Sequence, residues 1–232
     1  MKNLSIAICL LLFLSLGCNS SQTPTRSSDI QRASSSRQAS VTQATSANQP
    51  FDYYLLNLSW SPEFCYSHPN AAECTQHRAF TLHGLWPQNN TGPFIENCSN
   101  ASGPRDPSVY SDIYPDTGLL RHEWKTHGTC SGLAPDAFFN LARQAVQSIA
   151  IPTELTTLDR QISMTPNQIL DLFASANPSF PRESLALSCG NNYLTAIEVC
   201  MSKTLQPIAC GPIRSCRANS VRIVPPQSGA AN

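Results

Sequence analysis

The chain is predicted to fold as an α+β domain: an antiparallel β-sheet with flanking helices and long loops, stabilised by disulfides. Three observations lead there. Apolar residues alternate with smaller ones over 52–60, 79–85, 193–201 and 220–224, the pattern of strands. Residues 119–127, 138–149 and 165–173 carry helical spacing or cap signals instead. Eight cysteines (65, 74, 98, 130, 189, 200, 210 and 216) follow a leader of export type, an even number that argues for four disulfides.

In chain order, Asp52 to Trp60 is a strand built on Tyr and Leu. Ala79 to Leu85 is a second, whose end presents His83 and Trp86. Pro87 to Pro107 is rich in Gly, Pro, Asn and Ser and reads as a long loop pinned by Cys98. Leu119 to His127 holds no Gly or Pro and reads as a helix ending at Gly128. After Pro135, Phe138, Leu141, Ala145 and Ile149 recur at helical spacing. Thr165-Pro166 is a cap-plus-proline helix start, with Ile169, Leu170 and Phe173 as the buried face. Tyr193 to Met201 and Ser220 to Val224 complete the strands, giving helices carried on an antiparallel sheet.

The 232 residues allow one ordinary domain with appendages. Residues 1–18 read as an export signal: Lys2, then an apolar run from Leu4 to Leu16, then small residues. That run is too short for a comfortable membrane span. Cys18, preceded by Leu16-Gly17 and followed by Asn-Ser-Ser, resembles a bacterial lipid-attachment site, although Ser15 stands where an aliphatic residue is usual. The alternative is the end of an ordinary signal. Residues 19–50 are dominated by Ser, Thr, Gln, Ala and Asn and hold no aromatic, a disordered spacer by composition. Residues 51–232 form the compact domain. The expected location is exported, secreted or periplasmic, with membrane tethering if Cys18 is lipidated.

No Cys-x-x-Cys pair occurs among the eight cysteines, which argues against zinc. Eight cysteines allow 105 pairings, and proximity alone favours only Cys65–Cys74. From residue 51 onward 11 Lys and Arg face 14 Asp and Glu, a net of −3. Bulk phosphate neutralisation is thereby excluded as a binding mode, so any nucleic acid must be held locally in a cleft.

The chemistry concentrates in two segments. Thr81-Leu82-His83-Gly84-Leu85-Trp86-Pro87 sets an imidazole beside an indole, and Arg121-His122-Glu123-Trp124-Lys125-Thr126-His127-Gly128-Thr129-Cys130 packs two imidazoles and a carboxylate into six residues. Histidine titrates near neutrality, so one pair can supply a neutral and a protonated member together. In a helix each residue advances about 100°, which puts Glu123 and His127 on one face, Thr126 about 60° from Glu123 and Lys125 about 160° away. By the same arithmetic His122 lies about 140° from His127, so the two flank a site rather than chelate one ion. The zinc-protease pattern needs histidines four apart, and here they are five apart. A lone histidine is more often a hydrogen-bonded core or surface residue, and that reading fits His68 and His77. Trp124 reads as core.

The two segments resemble the active-site motifs of the ribonuclease T2 family, HGLWP and HEWxKHGTC. The match fails at one position, where Thr126 replaces Lys. The likeness runs from about Phe51 to about Val224. It implies the α+β, ribonuclease Rh-like fold, Cys98–Cys130 and Cys189–Cys216 bonds that leave Cys200 with Cys210, and a metal-independent endoribonuclease of single-stranded RNA needing no cofactor. DNA, lacking the 2′-hydroxyl, would not react. His127 would be the base, His83 the acid, His122 the phosphate-binding imidazole and Glu123 a polarising group, with no metal. Trp86 would stack a base with little base specificity, an interaction worth roughly 1–3 kcal/mol. A monomer is expected. The Thr126 departure removes a cation from the phosphate, and Lys125 or Arg121 are candidates to replace it. Two other classes compete: an inactive RNA-binding or toxin-like surface protein, and a metal-dependent hydrolase using the same histidines. RNA cleavage in EDTA separates them.

Overall fold

The computed structural model describes residues 51–76 and 78–226. The expected export signal, Cys18, the spacer and His77 lie outside the described residues. The strands are β1 (Tyr53–Trp60), β2 (Phe80–Gln88), β3 (Ile162–Met164), β4 (Leu185–Gly190), β5 (Tyr193–Met201) and β6 (Val221–Ile223). The helices are α1 (Ser61–Ser67), α2 (Thr117–Thr126), α3 (Pro135–Gln147), α4 (Thr153–Thr156) and α5 (Pro166–Ala176).

β1 is the spine of the sheet. It pairs antiparallel with β2 on one side and β5 on the other, and β4 pairs antiparallel with β5. β3 and β6 form an antiparallel pair that joins β5 through a single parallel pairing, Tyr193 with Arg222. That one parallel contact departs from the all-antiparallel expectation. Alternation along β1 sends Tyr54, Leu56, Leu58 and Trp60 into the main core, and Tyr53 and Leu55 to a smaller cluster with Cys200 on the opposite face. Pro87, read from sequence as the start of a loop, sits inside β2. It is tolerated because β2 is an edge strand, where a missing N–H leaves no ladder bond unmade.

The main core is strongly aromatic. Trp124 from α2 meets Phe138 and Phe139 of α3, and Phe139 in turn meets Tyr110 and Tyr114. α3 buries Phe138, Phe139, Ala142 and Ala145, while Leu141, expected inside, is only partly buried. α5 opens with the expected Thr165 cap, whose hydroxyl takes the Gln168 N–H while the Gln168 side chain accepts from the Thr165 N–H. β3, β4, α1 and α4 were not legible beforehand. β3 and α4 are three and four residues long. The first three residues of β4 are buried in succession, which erases the alternation that marks a strand.

All four disulfides are present: Cys65–Cys74, Cys98–Cys130, Cys189–Cys216 and Cys200–Cys210. Cys98–Cys130 ties the long loop to the single turn (Gly128–Cys130) that follows α2, and the Trp124 indole N–H secures the same loop at the Ala101 carbonyl, 2.8 Å away. The end of α2 is therefore held from two sides.

Candidate active site

β2 delivers the first imidazole through an irregularity in its pairing. Gly84 opposes Asn57 and Leu82 opposes Leu58, so His83 has no partner across the strand, a β-bulge. A regular strand would put Leu82 and Leu85 on opposite faces. The extra residue lets both reach the main core, while His83 and Trp86 turn together to the other face. The bulge is thus the device that sets imidazole and indole side by side, with ring centres 5.3 Å apart. Ser59 lies against the far nitrogen, its Oγ 3.4 Å from His83 Nδ1.

α2 supplies the rest. Asp116 caps it, accepting the Gly118 N–H at 2.7 Å. Leu120 and Trp124 enter the core, and Glu123 is fully buried beside them. His127 is the residue that ends the helix, its N–H still bonded to the Glu123 carbonyl at 2.9 Å. Its ring lies 5.1 Å from that of Trp86. The Trp86 N–H donates to Glu123 Oε2 at 2.8 Å, and His83 Nε2 stands 3.6 Å from Glu123 Oε1, too far for a hydrogen bond. The carboxyl and the indole meet directly over Gly84, where any Cβ would strike both, which is why this position must be glycine. His122 is exposed, and its charge bears on both His83 and His127. All three expected histidines, Glu123 and Trp86 therefore converge. His68 is exposed, bonded to Ser67.

Burial dominates the electrostatics. It raises the Glu123 carboxyl to about 8, against a smaller lowering from the Trp86 bond, so the group is protonated at neutral pH. Burial lowers His127 to about 4, with the His122 and His83 charges adding to the effect. His83 is lowered by burial and then by His122. Glu123 Oε1 and His127 Nδ1 are buried without hydrogen-bond partners among the described residues. Among those residues, no group of three or more His, Cys, Asp or Glu side chains is arranged to hold a metal ion.

Residues 51–210 match the model of the Ribonuclease T2 family. The chain belongs to the ribonuclease T2 family. A ribonuclease from Aeromonas hydrophila is 38% identical over 130 residues, 55% of this chain and 60% of the relative. A probable ribonuclease from Haemophilus influenzae is 28% identical over 132 residues, 49% of this chain and 48% of the relative. The chain spans roughly half to three fifths of the length of these two curated relatives. The RNase-related protein from Calystegia sepium superposes with a TM-score of 0.64 at 24% identity, covering 75% of this chain and 97% of that one. RNase NT in complex with 5′-AMP gives 0.58 at 20% identity, covering 77% and 99%. At such identities the likeness shows the fold, and it is the fold expected.

Within the ribonuclease T2 pattern, the residue in the Lys position is buried. Thr126 is 9% exposed at the last position of α2, its carbonyl taking the Asn97 N–H at 2.8 Å. Lys125 is exposed and lines a different groove with Arg121, Trp124, Ser99 and Gly103. The helical placement of 121–127 thus separates Thr126 from Lys125 as the angular argument expects. Residues that sequence reasoning missed adjoin the site. A groove of about 430 Å³ runs past Trp86 and His127 to Phe94, Ser188, Glu198 and Arg214. One signal was present: Glu198 is an acid inside the apolar run Ile197-Glu198-Val199-Cys200.

Proposed function

We propose that this chain is a metal-independent endoribonuclease of single-stranded RNA. The observation that carries the reading is the pair of imidazoles, His83 and His127, flanking Trp86 above one buried carboxyl. Neutral His127 takes the proton of the ribose 2′-hydroxyl as that oxygen attacks its own phosphorus. The bond to the 5′-oxygen breaks, and protonated His83 delivers a proton to the departing oxygen. A 2′,3′-cyclic phosphate results. Water, activated by the reverse assignment, then opens it to a 3′-phosphate. The nucleophile comes with the substrate, so DNA is inert.

Protonated Glu123 offers an O–H to a non-bridging phosphate oxygen, where charge develops in the transition state. His122 is the exposed imidazole of the three and binds the phosphate. Trp86 stacks the base of the nucleotide whose 2′-hydroxyl faces His127, a contact of about 1–3 kcal/mol that by itself is indifferent to sequence. The solved complexes of RNase NT with 5′-AMP and of a mutant of RNase MC1 with 5′-UMP support nucleotide binding by this fold. Four disulfides support export to an oxidising compartment, with 1–18 as the signal, 19–50 as the spacer and Cys18 as the lipid anchor of a tethered form.

The test is incubation of residues 51–232 with single-stranded RNA in excess EDTA. Cyclic and 3′-phosphate ends are expected; chelator-sensitive activity or 5′-phosphate ends would overturn the mechanism. The productive state needs neutral His127 and protonated His83. With His127 at about 4 and His83 below the ordinary imidazole value, kcat/KM should peak on the acid side of neutrality. An alkaline optimum would contradict the assignment.

A further inference from the structure

The floor of the groove beside Trp86 carries a polar device that catalysis leaves unused. Glu198 stands on β5 directly across β1 from Gly84, through the row Gly84–Asn57–Glu198. It is only 9% exposed, yet it lines the 430 Å³ groove together with Trp86, Phe94 and His127. Its Oε1 accepts two bonds, from Asn57 Nδ2 at 3.2 Å and from Ser188 Oγ at 3.0 Å. Oε1 is therefore filled, and the carboxyl plane is fixed by two strands. Oε2 has no hydrogen-bond partner among the described residues, which leaves it as the oxygen available to the groove. Burial raises the pKa of this carboxyl, the Ser188 and Asn57 bonds oppose the rise, and in its ionised form it is held by one oxygen and offers the other as an acceptor for N–H groups.

We infer that Glu198 reads the Watson–Crick edge of the base stacked on Trp86 and selects bases with an exocyclic amino group, guanine foremost. The inference rests on the ribonuclease reading above. A carboxylate only accepts, so it distinguishes bases by where their donors lie. Guanine presents two adjacent donors, N1–H and the 2-amino group, which can share the one open oxygen, Oε2, with no acceptor turned toward it. Adenine and cytosine each present one amino group beside a ring-nitrogen acceptor. Uracil presents one N–H between two carbonyl oxygens, both of which face the carboxylate unfavourably. Stacking on Trp86 and Phe94 would treat these bases alike. The floor would not.

The experiment compares kcat/KM for GpA, ApA, CpA and UpA at pH 7, in the domain 51–232 and in Glu198→Gln. The unmodified domain should cleave GpA at least about 10-fold better than UpA, the scale of one hydrogen bond to a charged group. Gln can keep its oxygen on Asn57 and Ser188, which turns its N–H toward the groove. The GpA-to-UpA ratio should then fall at least about 10-fold, because GpA loses its acceptor while the uracil carbonyls meet an N–H in place of a carboxylate oxygen. A merely structural role for Glu198 would lower all four substrates together and leave their ratios intact, and that result overturns the inference. So does an unmodified domain that cleaves UpA as fast as GpA. Inhibition of the unmodified domain by 3′-GMP against 3′-UMP gives the same ratio without any variant. If none of the four is cleaved, the ribonuclease reading itself has failed, and the two failures are distinguishable.

Discussion

The two faces of the sheet use the same strands for opposite ends. On one face Tyr54, Leu56, Leu58, Leu82 and Leu85 join Trp124, Phe138 and Phe139 in a dry core. On the other, Asn57 and Ser59 of β1 lie with His83, Trp86 and Glu198. Among the described residues the site side holds three buried polar atoms without partners, Asn57 Oδ1, Glu123 Oε1 and His127 Nδ1, and the core holds one, Tyr114 Oη. Each such atom costs about 1–3 kcal/mol of stability. The aromatic core offsets them. The apolar core and the polar candidate site are thus divided between faces, separated by one side-chain alternation.

That division can be broken at its strongest points first. Phe138→Ala in the core should destabilise by about 3–5 kcal/mol, read from urea melts, because a fully buried ring leaves a cavity. His83→Ala and His127→Ala should each lower kcat by at least about 10²-fold and leave the melt unchanged or improved. A histidine variant that unfolds the domain, or a Phe138 variant that leaves the melt unmoved, would erase the distinction.

Glu123→Gln sharpens it, because Glu123 belongs to both accounts. Its folded pKa, about 8, lies above the ordinary 4.5. The fold therefore favours the protonated form, and the contribution present below pH 4.5 is lost as the pH rises toward 8. Gln keeps the Trp86 bond and cannot ionise. It should raise the Tm at pH 8 by at least about 2–4 °C, the effect of about 1 kcal/mol in a domain of this size, and change it little at pH 4.5. It should also reduce kcat, by less than the about 10²-fold that follows loss of a donor outright. Equal Tm gains at both pH values would show that ionisation of Glu123 is not the burden.

The smallest effect concerns the missing cation. Thr126→Lys should raise kcat on RNA by about 10-fold, equivalent to about 1.4 kcal/mol of transition-state stabilisation, with less change in KM. Lys125→Ala should stay within about twofold, since Lys125 lines the groove shared with Arg121 and Ser99. Collapse of activity in Lys125→Ala, with no gain in Thr126→Lys, would put the catalytic charge at Lys125.

The candidate site residues are written in the sequence. His83, Trp86, His122, Glu123 and His127 are legible as candidates because they fall in two short motifs, and the angular spacing within 121–127 needs only helix geometry. The α+β class, β1, β2, β5, β6 and the three long helices were legible because alternation and helical spacing survive in single sequences. Tertiary structure alone decided the bulge that turns His83 and Trp86 to one face, since a bulge depends on the register with Asn57 and Leu58 across β1. It alone decided that Glu123 is buried and protonated, because a carboxyl's pKa follows from what surrounds it in space. It also joined Glu198 to Asn57 across 141 residues of chain, and to a groove shared with Trp86 and His127. Local pattern reports what a residue can do; the dielectric and the partners around it, which come from distant segments, decide what it does.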